Sequence, residues 1–227
     1  MTIKRKQREA SVKKLLDAAQ HLFVSGGYSW TNLEQIAEAA GLSKGAVYFY
    51  FGKKENVLLG LLNRAEKLVV DEAIEKVEQA GPGMADKLVA FVHYQAGLGI
   101  THCDEVLLLI LMSLEFGKRA GKARARISQI YSRMHTFIER LIRAGQKAGE
   151  FRCDVPTHEL AAIVMANNDG AFLEWYRRKS TLNGPNLVRA LRSVVLSGVC
   201  GQPVRPSTRV RARTTRRKAA PLVEARV

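Results

Sequence analysis

The segment Thr31–Phe51, TNLEQIAEAAGLSKGAVYFYF, decides the fold of this 227-residue chain. Its first half places apolar residues three and four positions apart, which predicts a short amphipathic helix. Gly41 interrupts that pattern, and Ser43 is a good N-cap for a second short helix that Gly52 ends. Two short helices joined by a tight corner are typical of a helix-turn-helix, whose second helix protrudes far enough to enter a DNA major groove.

The second of these helices has two different sides. Leu42, Val47 and Phe51 fall on its inner side, four or five residues apart. The other positions are expected to face outward: Lys44, Gly45, Ala46, Tyr48 and Tyr50. At the start of the preceding helix, Thr31 and Glu34 match a capping box, so that helix is predicted to begin at Thr31.

Helical periodicity continues on both sides of this segment, and no convincing strand alternation is present. A first helix is predicted from about Ser11 to Val24, and a fourth from about Lys54 to Gln79. Further helices are predicted over residues 85–101, 104–116, 119–148, 157–179 and 186–200. The chain is therefore predicted to be all-α.

Breaks in the pattern suggest three parts. Gly81-Pro82-Gly83 is the clearest interruption, and Pro, Ser, Thr and Arg dominate from Gln202 onward. We expect a three-helix DNA-binding domain over residues 9–69, a helical regulatory and dimerisation domain over 84–201, and a disordered basic tail over 202–227.

Positive charge is concentrated at the two ends of the chain. The net charge is +15; residues 1–54 hold nine Lys or Arg against four acids, and residues 203–227 hold eight against one. Clustered cations are typical of proteins that bind nucleic acid, although a generally basic surface is the simpler alternative. The run Lys4-Arg5-Lys6-Arg8 is predicted to reach phosphates or a minor groove as an N-terminal arm, and the tail either adds non-specific affinity or is inert.

Other classes of function find little support. The basic N-terminus is not followed by the apolar run of a signal peptide, and Val106–Phe116 is too short to span a bilayer. Three scattered cysteines and five histidines show no metal spacing. No nucleophile elbow or phosphate loop is visible. We therefore expect a cytoplasmic protein without enzymatic activity, cofactor, metal or membrane partner.

The helix-turn-helix resembles that of the TetR family of bacterial transcriptional regulators. The resemblance rests on Ile36–Phe51, on the following Lys53-Lys54-Glu55, and on the upstream pairs Leu22-Phe23 and Gly27-Tyr28. It is strong over residues 9–69. Beyond residue 80 only the all-helical plan and the stretch Gly145–Phe151 look similar.

This resemblance implies roles for individual residues. Lys44, Gly45 and Ala46 stand where the family touches base edges, and Tyr48, Tyr50 and Lys54 stand where it bonds phosphates. Thr31 would cap the second helix and present its amide end to a phosphate. Many relatives have His at the place of Phe49 or Tyr50, so Phe49 is expected either to pack or to lie against thymine methyl groups.

The resemblance also implies a ligand-binding part whose last two helices pair with those of a second copy. Two apolar stripes permit this homodimer, one from Leu160 to Trp175 and one from Leu187 to Gly198, since two helices from each copy would form a two-fold interface. Candidate ligand contacts are His93, Tyr94, Met112, Glu115 and Asn168, each of which is equally acceptable as a core residue.

Two functions remain. The first is a repressor that an unknown small-molecule effector releases from its operator in double-stranded DNA. The second is a ligand-independent architectural or nucleoid-associated protein, which would bind duplexes with a steep salt dependence and little sequence preference.

Overall fold

The computed structural model describes residues 3–178 and 181–201, and the predicted tail at 202–227 lies outside them. The described residues form ten α-helices, one π-helical turn and no strands. The α-helices are α1 Ile3–Gly26, α2 Leu33–Ala39, α3 Lys44–Phe51, α4 Lys54–Glu66, α5 Glu72–Glu78, α6 Met84–Thr101, α7 Cys103–Glu115, α8 Lys122–Lys147, α9 Thr157–Arg178 and α10 Gly184–Cys200; the π-helical turn is Lys67–Asp71. The predicted all-α class is confirmed.

We call helices α1 to α4 the head. Helices α2 and α4 contact α3, and α1 contacts α2 and α4. Val47 of α3 is fully buried, and Leu42 and Phe51 pack against the same core. Ser43 caps α3 by accepting from the Ala46 N–H, and Gly52 ends it at φ +68°, a backbone angle that favours glycine. The predicted inner side and both ends of this helix are confirmed.

The start of α2 differs from the prediction by one residue. Asn32 is the N-cap: its side chain accepts from the Gln35 N–H at 2.8 Å, while the Gln35 side chain accepts from the Asn32 N–H at 2.8 Å. The predicted capping box of Thr31 and Glu34 is therefore wrong. Asn is at least as good an N-cap as Thr, and Gln35 completes its box three residues later.

Helix α1 begins about two turns earlier than predicted. Residues 4–8 are helical, so the expected N-terminal arm is instead part of α1. No glycine or proline interrupts the segment before Ser11, and Arg5 pairs with Glu9 one turn later at 2.9 Å. The basic side chains therefore lie on a rigid helix.

A nearly continuous helical rod connects the head to the rest of the molecule. It consists of α4, the π-helical turn and α5, where a single helix to Gln79 was predicted. The long helix α8 lies against this rod, and α7 packs against α1. Helices α6, α9 and α10 complete the far side of the molecule, where α9 and α10 contact each other.

The turn after α8 is fixed by close packing. The buried Gly145 lies under the ring of Phe151, which occupies the space where a Cβ would stand. The backbone N–H groups of Glu150 and Phe151 both donate to the Gly145 carbonyl, at 2.9 and 3.2 Å. This packing positions the start of α9, and therefore the outer helices.

Candidate DNA interface and effector cavity

The outer side of α3 exposes two aromatic side chains. Phe49 is 80% exposed and Tyr48 is 43% exposed, although both are aromatic. Lys44 and Gly45 are exposed as well. A short helix anchored by a buried valine and carrying lysine, glycine and aromatic side chains outward has the shape and chemistry of a groove-reading helix.

Glu34 of α2 connects to this surface. Its carboxylate pairs with the Lys44 Nζ at 2.7 Å and accepts from the Tyr48 hydroxyl at 3.0 Å. The hydrogen bond from Lys44 lowers the pKa of Glu34 and raises the pKa of Lys44. Both groups therefore carry their charge at neutral pH, and two residues predicted to touch DNA share one carboxylate.

Tyr50 and Ala46 are less exposed than their neighbours. Tyr50 packs against the core of the head, and its ring meets Phe49 edge to face at 5.1 Å. Tyr50 also lines a groove between α3 and the first turns of α1, together with Lys4, Arg8 and Lys14. The helical N-terminus thus adds cations beside the recognition surface, although not as the arm that was predicted.

Two residues predicted to contact phosphate bind backbone carbonyls of the loop before α2. The Thr31 side chain is buried and donates to the Gly27 carbonyl at 2.9 Å. The Lys54 Nζ donates at 2.7 Å to the carbonyls of Tyr28 and Thr31, and it lies 4.3 Å from the centre of the Tyr28 ring. Desolvation lowers the pKa of Lys54. Thr31 therefore does not cap α2, and together with Lys54 it holds the loop before that helix. A phosphate contact by either residue stays a prediction.

A cavity of about 390 Å³ opens between α6, α9 and α10. Apolar side chains form most of its wall, among them Ile100, Phe172, Trp175, Leu187 and Leu191. Its polar lining includes His93, Gln95, Asn168, Arg189 and Arg192. An apolar chamber with two arginines among its lining residues suits a ligand that has both an apolar part and negative charge.

A second, smaller cavity of about 30 Å³ lies deeper, against the π-helical turn. Gln95 and Asn168 line both cavities. The deeper one is lined by Val69 and Val70 of the turn and by Asp169. Burial raises the pKa of Asp169, so the inner end of the site favours a neutral or positively charged contact.

Only some of the predicted ligand residues line the larger cavity. His93 and Asn168 line the larger cavity, and their binding role stays a prediction. Met112 is 1% exposed and belongs to the core, and it lines neither of these two cavities. Tyr94 donates its hydroxyl to the Leu68 carbonyl at 2.9 Å, and desolvation raises its pKa to about 12.

Glu115 has a different position from the one predicted. Its carboxylate accepts from the Ser29 hydroxyl at 2.5 Å and from Arg119 at 2.9 Å, at the contact between the end of α7 and the loop before α2. Its assignment as a ligand anchor is therefore wrong, because this end of α7 meets the head. The cavity residues Phe172, Trp175, Leu187 and Leu191 were predicted as dimer stripes, and Arg189 and Arg192 had no sequence signal beyond their charge.

Within residues 3–178 and 181–201 no single helix is long and apolar enough to cross a membrane. Helices α6 and α7 have the necessary length and composition only together, and they are bent by 101°. The same residues contain no group of three or more His, Cys, Asp or Glu side chains that could hold a metal ion.

Two family profiles match this chain, one in the head and one in the later helices. Residues 15–61 match the profile of bacterial regulatory proteins of the tetR family, and residues 108–179 match the tetracyclin repressor-like C-terminal domain. The crystal structure of the MbdR regulator from Azoarcus sp. CIB is 47% identical, covers 83% of this chain and 98% of its own, and gives a TM-score of 0.76.

Two other similar proteins are more distant. The HTH-type transcriptional repressor KstR2 of Rhodococcus jostii (strain RHA1) is 26% identical over 82% of this chain and 89% of its own length. AibR, solved in complex with isovaleryl coenzyme A and operator DNA, is 18% identical with a TM-score of 0.71, covering 81% of this chain and 97% of its own. At that identity the likeness to AibR concerns the fold alone.

Proposed function

Since this chain belongs to the TetR family of bacterial regulatory proteins and is a DNA-binding regulator of transcription, we propose that it is a repressor released from its operator by a small organic anion. The proposal depends on one observation above all: α3 buries Val47 and turns Lys44, Gly45, Tyr48 and Phe49 to solvent. In a helix-turn-helix, residues at the exposed start of the second helix contact base edges.

The DNA contacts divide into two kinds. Lys44, Gly45 and Ala46 lie in the first turn of α3, where the small residues let the backbone approach the bases. Tyr48 and Tyr50 are assigned to phosphates, which position a protein without reading sequence. Phe49 is the exposed apolar side chain best suited to a thymine methyl group.

We further propose that the protein binds as a homodimer through α9 and α10. Ile163 is 58% exposed and Val194 is 61% exposed, one on each of these neighbouring helices. Two large apolar side chains turned to solvent from a packed helix pair suit the centre of a four-helix interface. A dimer would also present two copies of α3, and one such helix rarely gives tight binding by itself.

The larger cavity is the proposed effector site, and an acyl-coenzyme A thioester is the proposed class of effector. The apolar wall would receive an acyl group, while Arg189 and Arg192 would pair with anionic oxygens of the carrier. The AibR complex with isovaleryl coenzyme A and operator DNA supports this class, since that fold accommodates both partners.

The test is equilibrium binding of the full chain to fluorescent duplexes in moderate salt. We expect selective binding to the DNA upstream of its own gene over a scrambled duplex, and weaker selective binding for Lys44→Ala. The matched control, Lys76→Ala, removes the same charge from the exposed surface of α5 and should bind as the wild type does. Equal affinity for both duplexes with a steep salt dependence would instead support an architectural protein.

The effector is tested in the same assay. Isovaleryl coenzyme A, or a panel of longer and aromatic acyl-coenzyme A thioesters, should lower the affinity for the upstream duplex, whereas free coenzyme A should not. The chain has two tryptophans, and Trp175 lines the cavity. With Trp30 replaced by Phe, binding should change the fluorescence of Trp175; a thioester that releases DNA without that change would place its site elsewhere.

A further inference from the structure

The rod between the head and the effector cavity contains a π-helical turn. Over Lys67–Asp71 the backbone hydrogen bonds span five residues, so that the Glu72 N–H donates to the Lys67 carbonyl. π-helical turns are rare and occur frequently at functional sites, because a helix gives up its better-packed spacing only where other contacts compensate. The contacts that compensate here come from two other helices.

Helix α6 holds the turn by two adjacent side chains. The Tyr94 hydroxyl donates to the Leu68 carbonyl at 2.9 Å, and the Gln95 Nε2 donates to the Val69 carbonyl at 2.9 Å. Gln95 is only 6% exposed. Two consecutive carbonyls of the turn therefore bind consecutive side chains of α6.

Helix α8 holds both ends of the same turn with one residue. The Arg133 guanidinium pairs with Glu66, directly before the turn, at 2.5 Å and with Asp71, its last residue, at 2.7 Å. Glu66 and Asp71 are five residues apart, the spacing of the π-helical bond itself. A single side chain thus spans the turn, and its two partners are separated by the five residues of a π-helical bond.

One of these contacts belongs to the wall of the cavity. Gln95 lines both the larger cavity and the smaller one against the turn, whereas Tyr94 lines neither of the two. A ligand whose polar atom reaches between the cavities meets the same amide group that holds the Val69 carbonyl. Of the two α6 side chains that donate to carbonyls of the turn, Gln95 is the one that lines a cavity.

We propose that the π-helical turn is the element on which the effector acts, and that Gln95 is the residue that passes the signal; this inference rests on the proposed function. A hydrogen-bond acceptor of the effector, such as a thioester carbonyl, takes the Gln95 amide from the Val69 carbonyl. The turn then returns to four-residue spacing, and α4 carries the head out of the geometry that fits the operator. The form in which Tyr94 and Gln95 hold the π-helical turn is the form that binds DNA.

Two variants test this without any effector. Tyr94→Phe removes one donor to the turn and leaves both cavities unchanged, and Gln95→Leu removes the other donor while keeping an apolar side chain of similar size. Each should weaken binding to an operator selected from random duplexes by the wild type, by about fivefold or more, within the usual range of coupling between sites. The control Asp86→Asn changes an exposed side chain of the same helix that lines neither cavity, and should bind as the wild type does.

Hydrogen exchange gives a second, independent readout. The Glu72 amide, the donor of the π-helical bond, should exchange faster in both variants than in the wild type, while amides in α9 should not change. Wild-type operator affinity in both variants, or an unchanged Glu72 amide, would overturn the role of the turn. A wild type that selects no duplex at all would instead contradict the proposed function, and the exchange result would still decide whether Tyr94 and Gln95 hold the turn.

Discussion

Glu34 is a carboxylate on a surface proposed to meet a polyanion. It pairs with Lys44 and Tyr48, the two side chains of α3 that are best placed to leave it for DNA. Each phosphate that Lys44 approaches must compete with this carboxylate, and the carboxylate itself repels the duplex at short range. Glu34 is therefore expected to lower affinity for every duplex, and most for those that offer Lys44 no base contact in return.

Glu34→Gln tests that expectation. The variant should bind scrambled duplex about twofold more tightly or better and show a steeper dependence on salt, because one more cation becomes free to displace counterions. Fluorescence anisotropy over a series of salt concentrations measures both. Glu38→Gln, which removes an exposed carboxylate from the same helix, should change binding less. Weaker binding of Glu34→Gln would show that the carboxylate positions Lys44 instead of competing for it.

The pKa values of the Asp169 and Asp154 carboxyl groups are shifted in opposite directions. Burial raises the pKa of Asp169, so its ionised form opposes folding, and the stability it contributes is lost as pH rises through its folded pKa. The hydrogen bond from Arg152 lowers the pKa of Asp154, so that group stabilises the fold at neutral pH and ceases to do so on acidification.

Asn replacements should therefore have opposite effects at pH 7. Asp169→Asn should raise the melting temperature and Asp154→Asn should lower it, and both differences should shrink at pH 4, closer to the usual pKa of the carboxyl group, 3.8. Thermal unfolding followed by circular dichroism at the two pH values measures this. A lower melting temperature for Asp169→Asn at pH 7 would mean that the ionised carboxylate has a partner in the fold.

At the scale of elements, α8 binds the connecting rod by a row of arginines. Arg126, Arg133 and Arg140 are seven residues apart and pair with Glu66, with Glu66 and Asp71, and with Glu78 respectively. A seven-residue interval returns a side chain to nearly the same face of a helix, so the three cations follow one line along the rod. Only Arg133 spans the π-helical turn.

Arg133→Gln and Arg140→Gln form a matched pair that measures this difference. Arg133→Gln should lower the free energy of unfolding by about 1 kcal/mol, and Arg140→Gln by a few tenths, since exposed ion pairs contribute between about 0.2 and 1 kcal/mol. Urea denaturation gives both values. Equal losses would indicate that the spanning contact adds nothing beyond an ordinary surface pair.

The sequence predicted the elements well because periodicity is a property of each helix alone. The outer face of α3 followed from the position of Val47. Contacts between residues distant in the chain were not predicted: Lys54 binds carbonyls more than twenty residues away, and Glu115, predicted as a ligand anchor, accepts from Ser29, 86 residues away. The π-helical turn at 67–71 leaves the apolar pattern intact, so periodicity could not reveal it.

On the scale of the whole molecule, the head is joined to the cavity by two routes. One is the rod, with its π-helical turn beside the inner cavity. The other is α7, whose Val106 and Ile110 line that cavity and whose far end holds Ser29 through Glu115. A change at the cavity can therefore reach both the start of α4 and the loop that precedes α2.

Lysine substitutions at the centre of the proposed dimer interface test the two-fold assembly. Val194→Lys and Ile163→Lys should each convert a dimer into monomers, since a buried lysine without a partner is costly, and should lower operator affinity as a consequence. Sedimentation equilibrium measures the first effect. Leu114→Lys, which changes a 75% exposed leucine on α7, is the control and should remain dimeric. Dimeric lysine variants would place the interface elsewhere.

In the proposed complex α3 enters the major groove twice, once from each protomer. Protection of guanine N7 from methylation reports contacts in that groove directly, because N7 is exposed only there. We predict two protected clusters related by two-fold symmetry and separated by one helical turn, about 10 base pairs, or a multiple of it. A single cluster, no protection, or protection confined to the minor groove at a duplex that the protein does bind would contradict the account.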